Sequence, residues 1–470
     1  MIDLSRHRGQ TIAVMGLGKS GLATARALQR GGAEVIAWDD DKARRESAVQ
    51  EGIRIRDLAK EPWKGIASLV LSPGIPHSYP TPHPVAARAR ESGCPIIGDI
   101  ELLARASSQA RYIGITGTNG KSTTTSLIGH VLKQAGRSAA VGGNLGLPTL
   151  EFEPMSEDGF YVIEMSSYQL ELTAPIPFDV AILLNITPDH LDRHGGMAGY
   201  IAAKTRIFDD QRDDQSAVIG VDDDTCRSIF DRLCATGRQR VLPISGDQRV
   251  SGGVYAVDRF LYDDTDGENA PIICLDEIRT LPGSHNAQNA SAAYAAARMV
   301  GLQPDEIRDA MRSFPGLAHR QELAAEIDGV LYINDSKATN AEAAARALSS
   351  YRNIYWIIGG LAKDGGLGAA RPFFGRVRHA FLIGQAAAQF RGELAGVIGT
   401  TMSGTLDAAL SAAHEMAQRD RRPGTVVLLS PACASFDQFA NFEERGRAFC
   451  RLVAALPGTS RHVRSDGAAA

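Results

Sequence analysis

The chain has 470 residues, of which 44% are hydrophobic and 22% charged, a composition typical of a globular protein with several domains. Its net charge of −4 excludes an overall basic field that would attract nucleic acid. No charge-free apolar stretch reaches the length of about 18 residues that a membrane span needs. The N-terminus lacks the apolar core of a signal peptide, so we expect a cytoplasmic protein with no membrane partner.

Three segments with alternating strand and helix patterns follow one another along the chain. The predicted strands lie at 11–15, 34–38 and 69–71, then at 112–116, 160–164 and 180–185, and finally at 331–335, 354–358, 380–383 and 426–429. Strands that alternate with helices predict parallel sheets. The predicted fold is α/β with three domains: Rossmann-like at 1–99, a central P-loop-like ATPase domain at 100–315, and a second Rossmann-like domain at 316–470.

A glycine-rich turn, Gly16-Leu17-Gly18-Lys19-Ser20-Gly21, follows the first predicted strand. With Asp39 at the end of the next strand, it fits the dinucleotide fingerprint G-x-G-x-x-G. An NAD site, a site for another nucleotide diphosphate and plain helix–strand packing all remain open. A proline-rich loop is predicted at 73–84.

A second glycine loop, Gly117-Thr118-Asn119-Gly120-Lys121-Ser122, lies between the strand at 112–116 and a predicted helix at 123–135. Its backbone N–H groups and the start of the helix suit a phosphate. Lys121 is expected to neutralise the β- and γ-phosphates and the Ser122 hydroxyl to bind Mg²⁺. The loop departs from the common P-loop pattern, because Ile115 stands where the first glycine would be.

Polar side chains also follow other predicted strands, at the sheet edge where ligands of parallel sheets bind. Glu164 and His190 offer an oxygen and a nitrogen ligand for Mg²⁺, although a capping carboxylate and a surface histidine remain the alternative. Lys204, by itself, reads as an ordinary solvated lysine. Three loops of the third segment, at 335–340, 359–366 and 430–439, suit the capture of a small charged molecule, although turn chemistry explains any one of them.

Four motifs together resemble the Mur ligases, ATP-dependent amide-forming enzymes of peptidoglycan synthesis that are related to folylpolyglutamate synthases. They are T-G-T-N-G-K-S at 116–122, N-x-x-x-D-H-L-D at 185–192, L-P-G-x-H-N at 281–286 and D-S-K-A-T-N at 335–340. Segments 72–74 and 430–439 are similar to those of the branch that adds D-glutamate to UDP-N-acetylmuramoyl-L-alanine. The resemblance extends from about residue 10 to 450.

The resemblance implies a role for each matching position. For the UDP-linked substrate it implies Gly16, Leu17, Gly18, Ser20, Asp39, Ser72, Gly74, Asn144 and His190. For ATP it implies Gly117, Thr118, Asn119, Gly120, Lys121, Ser122, Thr123, Asn289, Arg320 and Asp335. For D-glutamate it implies Thr339, Lys363, Ser435 and Phe442. For two Mg²⁺ ions it implies Ser122, Glu164, His190 and a carbamylated Lys204, and as catalytic residues Lys121, His190 and Lys204.

The expected reaction is therefore an ATP-driven ligation through an acyl phosphate, carried out by a monomer on small-molecule substrates. Within the same class, the alternatives are another Mur ligase or a folylpolyglutamate synthase. From other classes, an NAD-dependent dehydrogenase or a nucleotide-regulated binding module would leave the later polar loops unexplained.

Overall fold

The computed structural model describes residues 1–174, 176–278, 280–362, 366–420 and 422–461. The N-terminal part of the chain forms a parallel sheet in the order β3-β2-β1-β4-β5. Its strands are β1 (Thr11–Met15), β2 (Glu34–Trp38), β3 (Arg54–Ile55), β4 (Ile66–Leu71) and β5 (Ile96–Ile97), and its helices are α1 (Lys19–Arg30), α2 (Lys42–Gln50), α3 (Pro84–Glu91) and α4 (Asp99–Ala106). The strand order reverses beside β1, which places the ends of β1 and β4 next to each other at a typical ligand-binding crevice. The loop predicted at 73–84 ends one residue earlier, because Pro84 begins α3.

The central sheet runs in the order β14-β13-β12-β11-β10-β9-β6-β8-β7. Its strands are β6 (Arg111–Thr116), β7 (Ala139–Gly143), β8 (Phe160–Glu164), β9 (Val180–Leu183), β10 (Ser216–Gly220), β11 (Arg240–Ser245), β12 (Val254–Val257), β13 (Phe260–Asp263) and β14 (Ala270–Cys274). Its helices are α5 (Lys121–Gln134), α6 (Ser167–Glu171), α7 (Met197–Thr205), α8 (Asp224–Thr236), α9 (His285–Met299) and α10 (Pro304–Arg312). In this order, the strands from β12 through β7 pair in parallel. The apolar runs of β6, β8, β9 and β10 are buried, as a covered parallel sheet requires.

The third sheet runs in the order β19-β18-β17-β20-β16-β15-β21. Its strands are β15 (Glu322–Ile327), β16 (Val330–Asn334), β17 (Ile354–Gly359), β18 (Val377–Ile383), β19 (Thr400–Gly404), β20 (Val426–Leu429) and β21 (Ser460–Arg461), and its helices are α11 (Ala341–Ser350), α12 (Ala387–Leu394), α13 (Leu406–Asp420) and α14 (Phe442–Ala454). Strands β16 to β20 pair in parallel, so their carboxyl ends, and the loops that follow them, lie at one edge. This confirms the α/β prediction.

The chain divides into two compact units. The first contains Met1–Glu277 and His285–Ser313, and the second contains Ile278–Ser284 and the chain from Phe314 onwards. Within the first unit, one hydrophobic cluster includes residues of both the first and the central sheet. The boundary predicted at residue 99 remains a prediction. No helix among the described residues is long and apolar enough to cross a membrane.

Candidate active site

The phosphate loop, residues 117–122, connects β6 to α5 as the sequence predicts. Gly117 and Gly120 have φ angles of 150° and 85°, a region that favours glycine. Lys121 opens α5, and its Nζ donates to the carbonyl oxygens of Gly117 and Thr118 at 2.8 and 2.9 Å. The ammonium group therefore lies over the loop beside the N–H groups of the helix start, an arrangement suited to phosphate.

The asparagine that follows β9, Asn185, fixes the shape of this loop. Its side-chain oxygen accepts from the backbone N–H of Asn119 at 2.8 Å, and its carbonyl oxygen accepts from that of Thr118 at 2.8 Å. The Thr118 hydroxyl also lies 3.0 Å from the Tyr200 hydroxyl. Thr123, predicted to bind ATP, is buried in the first turn of α5.

Asn289 of α9 packs against the phosphate loop, as its predicted role in ATP binding requires. Its side chain is buried, and its Oδ1 accepts from the Thr124 hydroxyl at 3.3 Å. A Cβ added at Gly120 would lie only 2.1 Å from this oxygen. Gly120 therefore has no room for a side chain, because Asn289 packs against it.

We expect Gly120→Ala to weaken ATP binding at least about tenfold, because a methyl group there meets Asn289 and the left-handed backbone disfavours alanine by about 1–2 kcal/mol. Isothermal calorimetry with ATP measures the change. Gly136→Ala is the matched control: this glycine follows α5 with φ +73° and has open space around it. The control should lose stability but keep its ATP affinity. Equal ATP affinity in the two variants would contradict the fit between Gly120 and Asn289.

Glu164 ends β8 and presents a carboxylate at the same edge as the phosphate loop. It is buried, and its Oε1 accepts from the Asn144 amide at 2.8 Å. Its Oε2 is buried and has no hydrogen-bond partner among the described residues. Since a buried carboxylate oxygen without a partner is costly, a cation is the natural partner for it. Ser122, the other predicted oxygen ligand, is half-buried in the first turn of α5.

A protein-only metal cage is absent from the part of the chain that the structure describes, which contains no cluster of three or more His, Cys, Asp or Glu side chains able to hold an ion. Mg²⁺ does not require one, because it keeps several waters and binds through one or two carboxylates together with substrate phosphates. The donors present thus fit a phosphate-bound Mg²⁺.

Lys204, on α7, is not the solvated lysine that the local sequence suggests. Its side chain is buried, and its Nζ donates to the Gly117 carbonyl at 2.8 Å and lies 3.5 Å from the Thr116 hydroxyl. Burial, aided by the positive charge of Lys121, lowers the pKa of Lys204 to about 7. A reactive amine is therefore held directly behind the phosphate loop.

His190 stands between β9 and α7 with a left-handed backbone, φ 52°. Its side chain is more than half exposed, with Nε2 3.5 Å from a carboxylate oxygen of Asp189. Its ring lies 5.4 Å from that of Tyr168, the second residue of α6. The imidazole is thus accessible to a ligand, as its predicted role needs.

The N-terminal glycine turn is held by Asp39 and Ser72. Asp39 is buried, and its carboxylate accepts from the backbone N–H of Leu17 at 2.6 Å. The Ser72 hydroxyl donates to the Gly16 carbonyl at 3.1 Å. A Cβ at Gly21 would lie 1.8 Å from that same carbonyl oxygen, so the turn has no room for a side chain there. Asp39 therefore orients the turn through its backbone.

The remaining residues predicted for the UDP-linked substrate surround this turn or face the central sheet. Gly18 is the N-cap of α1, and Ser20 lies in its first turn. The Gly74 carbonyl accepts from the Arg193 guanidinium at 2.9 Å. Asn144, bound to Glu164, is exposed at the end of β7.

In the second unit, Asp335 follows β16 at the edge where the polar loops lie. It is buried, its Oδ2 accepts from the Ser430 hydroxyl at 2.7 Å, and its Oδ1 accepts from the Gln321 N–H at 3.1 Å. Burial raises the pKa of the Asp335 carboxyl to about 7, against the hydrogen bonds and the Arg320 charge that favour its ionised form. The Nε of Arg320 is buried and has no hydrogen-bond partner among the described residues.

Of the residues predicted for D-glutamate, three lie in loops or a helix start at this edge. Ser435 is buried, while Thr339 and Phe442 are half-buried. The Lys337 ammonium lies 5.0 Å from the centre of the Phe442 ring. Lys363 lies outside the described residues.

Arg445, on α14, connects two of the polar loops of this edge and was not among the predicted residues. It is 1% exposed; its Nε donates to the Ser336 hydroxyl at 2.9 Å, and its Nη2 donates to the carbonyls of Ser336 and Cys433 at 2.8 and 3.1 Å. It thus joins the loops after β16 and β20. Its spacing with Phe449 and Val453 places it on the buried face of α14, a signal that the helical periodicity contained.

The chain is similar to known proteins over nearly its whole length. Residues 115–297 match the family model of the Mur ligase middle domain. The UDP-N-acetylmuramoylalanine–D-glutamate ligase of Rhodospirillum rubrum is 52% identical, with 99% of each chain covered. The protein of the same name from Caulobacter vibrioides is 49% identical over 97% of this chain and 98% of its own.

Solved structures share the fold at lower identity. The UDP-N-acetylmuramate-alanine ligase of Thermotoga maritima superposes with a TM-score of 0.58 at 17% identity, covering 95% of this chain and 99% of its own. The UDP-N-acetylmuramoylalanyl-D-glutamyl-2,6-diaminopimelate–D-alanyl-D-alanyl ligase of Acinetobacter baumannii gives 0.55 at 17% identity, covering 96% and 92%. With full-length relatives near 50% identity, the chain belongs to the Mur ligase family, in its UDP-N-acetylmuramoylalanine–D-glutamate ligase branch.

Proposed function

We propose that the chain joins D-glutamate to UDP-N-acetylmuramoyl-L-alanine with ATP, in peptidoglycan synthesis, releasing ADP and phosphate. The observation that carries the reaction class is the convergence of the phosphate loop, Glu164 and the buried Lys204 at one edge of the central sheet. The amino-acid and acceptor substrates follow from the named activity of the full-length relatives. The enzyme is an ATP-dependent, amide-forming ligase.

The first step makes the acceptor reactive. A carboxylate oxygen of the alanyl group attacks the γ-phosphorus of ATP, ADP leaves, and an acyl phosphate forms. Lys121 and the N–H groups of the phosphate loop stabilise the charge on the phosphoryl oxygens during this transfer. The chain's contribution to this step is therefore positioning and electrostatic stabilisation.

The second step forms the amide. The amine of D-glutamate attacks the acyl carbon, phosphate leaves with the C–O bond electrons, and the nitrogen loses a proton. We assign the amino acid to the edge of the third sheet that carries Thr339, Ser435 and Phe442. Lys363 is assigned to the same ligand by resemblance alone. The Lys337 ammonium beside the Phe442 ring supports an anionic ligand there. Arg320 and Asp335 are assigned to ATP.

The UDP part of the acceptor is assigned to the first sheet, at the turn held by Asp39 and Ser72. The position of this turn beside the β1–β4 switch point supports the assignment, because nucleotides bind at such crevices. Asn144 and His190 are assigned to the muramoyl-alanine end.

Two Mg²⁺ ions are proposed, one held by Glu164 and Ser122 and one beside His190. The buried, unpartnered Oε2 of Glu164 supports the first of them. When bound, the ions neutralise phosphate charge.

A carbamate is proposed on Lys204, formed when its neutral amine attacks CO₂ and releases a proton. Its lowered pKa supports this, because only the neutral amine reacts with CO₂. The product is a carboxylate-like metal ligand.

We also propose a monomer that acts in the cytoplasm. ATP and a UDP-linked precursor as substrates support the location.

Phosphate release with UDP-N-acetylmuramoyl-L-alanine, ATP and a panel of amino acids tests the function. We expect D-glutamate to stimulate release at least about a hundredfold over L-glutamate and over diamino acids, since the site must read both the stereocentre and the side-chain carboxylate. If D-glutamate did not stimulate phosphate release, it would be ruled out as the substrate. Stimulation by another amino acid would instead indicate a different Mur ligase activity. An absorbance change with NADH would instead favour a dehydrogenase.

A further inference from the structure

Two histidines and one carboxylate link the loop after β4 to the segment that carries His190. His77 lies in that loop, and its Nε2 is 3.0 Å from Oε2 of Glu171, the last residue of α6. The other oxygen of Glu171 is 2.9 Å from Nδ1 of His194. We call this chain of contacts the His77–Glu171–His194 relay. It crosses from the first sheet to the central sheet within one compact unit.

Every polar atom of the relay has a partner. His194 Nε2 is 2.9 Å from the Ser167 hydroxyl, and His77 Nδ1 is 3.0 Å from the Ser78 hydroxyl. If each serine hydroxyl donates to its histidine, the other ring nitrogen of each histidine donates its N–H to Glu171. Burial acts to raise the pKa of Glu171, but the hydrogen bonds and the charges of His77 and His194 together outweigh it and lower the pKa. The network is therefore complete and held in one geometry.

Further contacts join the same two segments independently of the relay. The Arg193 guanidinium donates to the Gly74 carbonyl at 2.9 Å and lies 4.6 Å from the centre of the Tyr168 ring. The ring of Tyr79 covers Gly195, where an added Cβ would lie 2.9 Å from a ring atom. The loop after β4 thus contacts the segment around His190 at several points along its length.

The inner end of the relay lies between two parts of the proposed active site. The His194 side chain is completely buried. It stacks on Tyr168 with ring centres 5.3 Å apart, and Tyr168 in turn lies beside His190. On its other side it contacts the Tyr200 ring at 5.4 Å, and the Tyr200 hydroxyl contacts Thr118 of the phosphate loop.

We propose that the His77–Glu171–His194 relay is a positioning device that holds the loop carrying Ser72 and Gly74 in register with His190 and the phosphate loop. The proposal rests on the assignment of that loop to the UDP-linked substrate. His77 fixes the position of the loop that binds the acceptor substrate. His194 fixes the rings of Tyr168 and Tyr200, which contact His190 and Thr118. Neither histidine takes part in the chemistry itself.

The test separates KM from kcat in His77→Ala. Losing a hydrogen bond to a charged group should raise the KM for UDP-N-acetylmuramoyl-L-alanine about tenfold to a hundredfold, because such bonds are worth about 1.5–3 kcal/mol. The KM for ATP and the kcat should stay within about threefold. His77→Gln should restore most of the loss, because its amide nitrogen takes the place of Nε2. Glu171→Gln, which keeps the size of the side chain, should raise the same KM.

His83→Asn is the matched control. His83 contacts Asp40 at 3.0 Å and caps α3 within the first sheet, and asparagine preserves a cap acceptor. This variant should keep both KM values. Equal changes in both KM values in His77→Ala, or no rescue by glutamine, would show a merely structural role and overturn the proposal. An unchanged KM for the UDP-linked substrate in both His77→Ala and Glu171→Gln would also overturn it.

The activity of the wild-type protein in the same assay distinguishes a failure of the proposed function from a failure of the relay proposal. If it shows no ligation that depends on D-glutamate, the proposed function fails. If the wild type is active but the relay variants match it, only the relay fails. Thermal unfolding of each variant identifies any loss of folding, and UDP-N-acetylmuramoyl-L-alanine affinity by calorimetry on the folded variants then decides.

Discussion

Lys121→Ala is expected to lower the rate of ligation at least about a thousandfold, because it removes the positive charge that lies over the phosphate loop. A fixed charge aimed at the transferring phosphoryl group stabilises the transition state by several kcal/mol. Lys121→Arg should restore little, since the guanidinium is larger and planar where a compact ammonium is bound by two carbonyls. Phosphate release at saturating ATP measures the loss.

Lys133→Ala is the control for this change. It lies in the last turn of the same helix and is exposed. We expect it to keep full activity. Because the Lys121 ammonium also holds the carbonyls of its loop, thermal unfolding must confirm that Lys121→Ala remains folded. Ligation by a folded Lys121→Ala within tenfold of the wild type would contradict the ATP assignment.

Lys204→Met should lower the rate about a hundredfold to a thousandfold, because it keeps the buried volume but removes the amine that is proposed to carry a carbamate. Removal of CO₂ from the buffer should lower wild-type activity, and bicarbonate should restore it. The methionine variant should not respond to either change. Intact mass under CO₂-replete conditions shows the modification directly.

The pH dependence of the carbamate has a definite sign. With a pKa of about 7, the Lys204 amine is mostly protonated below pH 7 and mostly neutral above it. The carbamate forms from the neutral amine and releases a proton, so it is lost as the pH falls through 7. Asp335 also has a pKa of about 7, so only the part of the pH profile that changes with CO₂ reports on Lys204. An unmodified lysine in a fully active enzyme would end the carbamate proposal.

Several elements of the fold could be read from local patterns. The strands at 11–15, 34–38, 160–164 and 426–429 coincide with β1, β2, β8 and β20. Each is a short, mostly apolar run, which is what a parallel sheet covered on both faces demands. The antiparallel pairs β12–β13, β13–β14 and β15–β16 were not predicted. Strands β12 to β15 are short or only weakly apolar, so they carry little of the pattern that marks a strand.

The candidate site likewise contains some residues that local patterns identify and others that only the structure brings together. The phosphate loop was identifiable because glycine, lysine and serine at fixed spacing reflect local backbone geometry. Lys204 could not be assigned from its surroundings in sequence, which resemble any helix surface; only the resemblance marked it. It is buried, and its ammonium contacts the carbonyl of Gly117, 87 residues away in the sequence. The contact between Arg445 and Ser336, which are 109 residues apart, is likewise invisible in the local sequence.

The sequence by itself determined the α/β class, the positions of both glycine turns and the family, because these depend on local conformation and on motifs with a characteristic spacing along the chain. The three-domain division and the substrate residues remain predictions. Only the tertiary structure decided that Asp39 holds its turn through a backbone N–H, that Glu164 has one buried oxygen without a partner, and that His77 is linked to His194 through Glu171. Hydrogen bonds and desolvation depend on distances between residues far apart in the chain, and local sequence does not encode those distances.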